Sequence, residues 1–100
     1  MKEGKNGIGI VVQQGTSYPY VLIGWVSREG DEVRVDNARV IRRFGSNQFL
    51  AGLALKGSAK DTELGPAASE DVHRLLVHRF IRAYENVWKK ECPKPEGWDE

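Results

Sequence analysis

Hydrophobic and polar positions in the first half of this chain fall in the pattern of strands. Ile8 to Val12 is a short apolar run, closed by the polar stretch Gln13-Gln14-Gly15-Thr16-Ser17. Tyr20 to Val26 follows, rich in the β-branched and aromatic side chains that pack well on a pleated surface. Ser27-Arg28-Glu29-Gly30-Asp31-Glu32 is polar, with its glycine where a hairpin turn calls for one. Val33 and Val35 then alternate with Arg34 and Asp36, the period of a strand with one wet face. Asp36-Asn37 offers a second turn, after which Ala38, Val40, Arg42 and Phe44 alternate with Arg39, Ile41 and Arg43. These positions predict a three-stranded antiparallel meander, and the Ile8 strand adds a fourth member.

The period changes after Phe44. Gly45-Ser46-Asn47 breaks the strand, and Ser46 or Asn47 caps a short helix in which Phe49, Leu50, Leu53 and Ala54 recur at helical spacing. Gly57 is its stop, and Ser58 to Ala68 reads as a polar loop around the sheet. Ser69 is a good N-cap, with Glu70 and Asp71 in the turn that the helix dipole favours for acids. Apolar residues then fall at Val72, Leu75, Leu76, Phe80, Ala83, Tyr84, Val87 and Trp88. That stripe predicts an amphipathic helix of about five turns, with Lys89 and Lys90 in its last turn and Pro93 as its stop. A strand beginning at Val72 is the competing reading, and the length of the stripe decides for the helix. The expected fold class is α+β: a three- or four-stranded antiparallel sheet, a short helix, and a long C-terminal amphipathic helix packed on one face. Leu75, Leu76, Phe80, Tyr84 and Trp88 would form much of its core. Residues 1–92 make one domain, and residues 93–100 a flexible, proline-containing tail.

Composition narrows the classes of function. One hundred residues, 40% hydrophobic and 29% charged, suit one ordinary globular domain. Fifteen basic against fourteen acidic side chains leave a net charge of +1, so no global field draws the chain to nucleic acid or membrane. The balance is uneven: residues 1–60 carry nine bases and five acids, residues 61–100 six and nine. No apolar run approaches the roughly 20 residues of a membrane span, and the start lacks a signal-peptide pattern, so a cytoplasmic setting is expected.

Little in the sequence points to catalysis. Cys92 is the single cysteine, which excludes an internal disulfide and a multi-thiolate zinc site. His73 and His78, five residues apart on a helix, would sit roughly 140° apart and fail to chelate one metal. Gly4-Lys5-Asn6-Gly7-Ile8-Gly9 runs into a strand, whereas a dinucleotide-binding loop runs out of one. Ser58 stands where a phosphate-binding loop needs lysine. No catalytic, cofactor-binding or metal-binding residue is assigned, and no cofactor is expected.

Basic side chains are the stronger candidates. Arg39, Arg42 and Arg43 lie within five residues, with Arg34 on the neighbouring strand, and Arg74, His78, Arg82, Glu85 and Lys89 form a stripe on the expected helix. Arginine forks grip phosphates bidentately and equally meet acidic protein surfaces. The sequence pI of 7.9 is low for a nucleic-acid binder, which favours a protein partner. Trp98 on the tail either anchors a partner or folds back onto the domain. The expected partner-binding set is therefore Arg34, Arg39, Arg42, Arg43, Arg74, Arg82, Lys89 and Trp98. A homodimer is also open, with Val77 and Ile81 pairing helices across a twofold axis.

The stretch from Gly24 to Ile41 combines a Gly-x-apolar strand, a glycine-containing acidic–basic hairpin and the strand entry Asn37-Ala38-Arg39. Together with Leu53-Ala54-Leu55-Lys56-Gly57, it resembles small β-rich phage- and prophage-associated proteins of unknown function, over about residues 20–57. Where those proteins carry an aromatic run, this chain has Ile41-Arg42-Arg43-Phe44. The resemblance implies a phage setting in a bacterial host cell and a non-enzymatic role. The function expected is an interaction protein that binds a larger protein assembly, such as an inhibitor of a host defence complex comparable to anti-CRISPR proteins. The alternative is a nucleic-acid-binding accessory or regulatory protein using the same arginines.

Overall fold

A computed structural model describes residues 5–13, 20–43, 45 and 49–98. The Gln14–Ser17 loop, Phe44 and the Ser46 or Asn47 cap lie outside the described residues, as do the side chains of Phe49 and Leu50.

Strands dominate. β1 (Lys5–Gln13), β2 (Tyr20–Glu29) and β3 (Glu32–Arg43) form an antiparallel meander. α1 (Phe49–Lys56) follows, then β4 (Glu63–Leu64) and β5 (Ala68–His73), both of which pair with β3. A single 3₁₀ turn (Arg74–Leu76) leads into β6 (Val77–Arg82), which pairs with β1, and α2 (Glu85–Trp88) is one helical turn. The hairpin between β2 and β3 turns at Gly30-Asp31, where the glycine was expected to place it. The second expected turn, Asp36-Asn37, is instead an irregularity within one continuous strand. Asn37 takes a positive φ of 52°, and the pairing of β3 with β2 shifts across it. Gly24 lies opposite: a Cβ there would stand 2.7 Å from Val35 Cγ1 and 2.9 Å from the Ala38 Cα, so only glycine admits the kinked strand so closely.

The long C-terminal helix does not exist. The fold is mostly β, a six-stranded antiparallel sheet with short helices, and residues 68–82 supply two of its strands. The apolar stripe misled because the sheet is buried on both faces. Val77 and Phe80 pack into one core while Ile81 packs into the other, so the period of two is lost and the spacing imitates a helix.

The sheet must coil. β5 lies on the outer edge of β3 and β6 on the outer edge of β1, with β2 between. In a flat sheet they would stand about 19 Å apart, at roughly 4.8 Å per strand. Four Cα steps join His73 to Val77 and reach at most about 14 Å even fully extended. Curling brings the His73 end of β5 within reach of the Val77 end of β6 and creates an inner core of Val11, Leu22, Val26, Val33, Val35 and Ala38. The outer face carries Ile8, Ile10, Val12, Val21, Ile23 and Trp25, covered by Leu53 and Ala54 of α1 and by Trp88 and Cys92. Trp88 is fully buried, and its Nε1–H donates to the Leu53 carbonyl at 2.9 Å. Trp25 Nε1–H donates to the Cys92 carbonyl at 2.8 Å, so each large indole is both packed and hydrogen-bonded.

Candidate functional site

The arginines do not converge. Arg34 pairs with Asp36 at 3.3 Å and Asp71 at 3.9 Å, Arg43 with Glu63 at 3.4 Å, and Arg74 with Asp31 at 2.8 Å. Half-buried Arg39 donates from Nε to the Gly65 carbonyl at 2.7 Å, fastening the loop before β5 to β3. Each of these guanidinium groups holds a strand or loop to its neighbour. Arg42, Arg82 and Lys89 are exposed, on β3, on β6 and just after α2. The stripe of Arg74, His78, Arg82 and Lys89 is dissolved, because these residues sit on a turn, a strand and a helix end.

Trp98 folds back. Its ring meets Trp25 edge-on, with centroids 5.2 Å apart, and the Lys5 ammonium lies 5.1 Å from its centre. Lys5 also donates to the Trp98 carbonyl. Val77 and Ile81 face the two cores and so cannot pair helices across a twofold axis.

His73 serves the fold, because its Nδ1 accepts from the Leu75 N–H at 3.2 Å and caps the 3₁₀ turn. The Arg74 N–H donates to the Asp31 carbonyl at 2.8 Å, and the Arg74 guanidinium holds the Asp31 carboxyl below the usual carboxylate range. Backbone and side chain together pin that turn to the β2–β3 hairpin. Cys92 is buried, with its thiol against the Ile23 carbonyl at 3.5 Å, and burial pushes its pKa up to about 12. That is the opposite of an activated nucleophile. Among the described residues no group of three or more His, Cys, Asp or Glu is placed to hold a metal, and no helix is long and apolar enough to cross a membrane.

The sequence reading missed the exposed apolar groups. Leu75 is 67% exposed and Leu76 49%, both on the 3₁₀ turn and both expected in the core. Tyr84, also expected in the core, is 58% exposed, and Leu55 of α1 is 49% exposed. The Tyr84 N–H donates to the Ala54 carbonyl at 3.1 Å, which brings the α1 turn carrying Leu55 against the backbone of Tyr84. Trp88 and the Gly57 N–H both bond the Leu53 carbonyl, at 2.9 and 2.8 Å, so this second apolar site rests on a fixed base. A cavity of about 140 Å³ opens at the inner core, walled by Val11, Val26, Val33, Val77 and Phe80 with Asn6 and Arg28 at its polar side. No signal in the sequence distinguishes these leucines from core, because their surroundings depend on which strands pair.

No protein-family model, curated protein or solved structure matches the chain.

Proposed function

We propose that this chain is a non-enzymatic interaction protein of the phage or prophage type, which docks on a larger protein assembly through the face around Leu55 and Tyr84. The observation that carries the reading is the exposure of Tyr84 and Leu55 on adjoining, mutually hydrogen-bonded segments. A large aromatic presented on a rigid base anchors protein interfaces, because little side-chain entropy is lost when it is covered. Lys56, Arg82 and Lys89 lie close by in sequence and are exposed, which suits a partner with an acidic rim. Ion pairing within the chain already engages Arg34, Arg43 and Arg74, which leaves phosphate recognition the weaker alternative. A bacterial cytoplasm is the setting this role calls for, and occupying the surface of a host defence complex is its specific form.

Affinity capture from bacterial lysate, with and without nuclease, tests the proposal when wild type and Tyr84→Ala are run side by side. The expected result is one stoichiometric assembly that survives nuclease and is reduced on the order of tenfold by Tyr84→Ala, the scale of a central aromatic anchor. Loss of all bound material after nuclease, or a variant that captures as well as wild type, overturns it.

A further inference from the structure

We infer that copies of this chain associate head to tail, the acidic strand β5 of one copy pairing with the basic strand β6 of the next. Coiling leaves both strands at edges: among the described residues β5 pairs only with β3, and β6 only with β1. Hydrogen-bond alternation shows which backbone groups turn away from the paired strand. The Ala83 N–H donates to the Ile8 carbonyl, so Ile81 and Arg79 turn their amides toward β1 while Phe80 and Arg82 turn theirs outward. On β5 the Arg74 N–H donates to the Asp31 carbonyl, so Val72 and Glu70 face β3 while Asp71 and His73 face outward. An open edge of this kind is a template for another strand, and neither strand carries the proline or lysine that commonly blunts one.

Charge selects the partner. β6 holds His78, Arg79 and Arg82, all exposed, and no acid. β5 holds Glu70 and Asp71, the latter 3.9 Å from Arg34 of β3 in the same chain with both side chains more than half exposed, and no lysine or arginine. Two β6 edges would set bases against bases, and two β5 edges acids against acids, which opposes twofold pairing. Unlike edges attract, and an interface made of two different patches is heterologous, growing into a ring or a filament. The exposed pair Leu75 and Leu76 sits on the three-residue turn joining these two edges, where a neighbour on either strand covers apolar surface. The inference uses neither Leu55 nor Tyr84; it shares only Arg82 with the docking reading above, and its test turns on Arg79 and Asp71 instead.

Sedimentation of the purified full chain across protein concentration and salt decides it. The expected result is a species heavier than the 11.2 kDa chain at low salt that dissociates as salt rises. Arg79→Glu and Asp71→Lys should each give a monomer that melts cooperatively. Mixing the two variants should restore association, because each keeps one native edge, and the double variant should reassociate through its exchanged charges. Deuterium exchange should slow at the Phe80 and Asp71 amides as concentration rises, with Ile81 and Val72 unchanged. Should a reversal impair folding, Arg79→Gln and Asp71→Asn replace it. A wild type that stays at one chain mass at low salt and high concentration overturns the inference. So does an assembly indifferent to both substitutions, or one that mixing fails to restore.

Discussion

Cys92 shows how one position can look reactive and be inert. Lys89 and Lys90 precede it closely, a setting that ordinarily lowers a thiol pKa. In the fold neither lysine acts on it: burial pushes its pKa from the ordinary 9.0 to about 12 against a smaller lowering by Arg39, with the thiol beside the Ile23 carbonyl and the Cys92 carbonyl holding the Trp25 indole. Two results follow. Alkylating reagents should label the folded protein only at its unfolding rate, whereas the chain in denaturant should react at once. Between about pH 9 and 12 the unfolded chain loses this proton while the native protein keeps it, so stability falls as pH rises. Chemical denaturation across that range checks the sign on comparing wild type with Cys92→Ala, in which this part of the alkaline loss disappears.

At the level of elements, the consequence of replacing a helix by two strands is sharp for single substitutions. A buried helix stripe would make Leu76→Asp ruinous. On an exposed 3₁₀ turn the same change should shift stability by only about 0.5 kcal/mol. Val72→Asp, at a position 5% exposed and paired opposite Val33, should prevent cooperative folding. Thermal melts of the two variants distinguish the folds directly. The strands around Ile8 to Val12 and Tyr20 to Val26 and the Gly30 turn were legible because they announce themselves within a few residues, whereas the expected meander turn at Asp36-Asn37 is part of one strand. Gly57 ends α1 as expected, with its N–H on the Leu53 carbonyl. Residues 68–82 were not legible, since their identity depends on β1 and β3, thirty or more residues away at every pairing. The candidate site suffered for the same reason. Arg43 and Arg74 look like free charges in the sequence because Glu63 and Asp31 reach them only through strand pairing or the closing turn, whereas the nearer partner of Arg34, Asp36, stands two residues along the same strand.

For the molecule as a whole, the sheet closes only when β6 finds β1, a pairing of Gly9 with Arg82 across most of the chain. Such non-local closure is slow, because loop entropy is lost before the contact is gained. The contact of Lys5 with Trp98 reaches still farther, holding the two ends of the described chain side by side. Their adjacency frees the order in which the strands are synthesised from the order in which they pair. A circular permutant joining Glu100 to Met1 through a short glycine-serine linker, and opened between exposed Lys60 and Asp61, should melt cooperatively like the parent. In that chain β5 and β6 would be made before β1, and the longest closure in the fold would become one of its shorter ones.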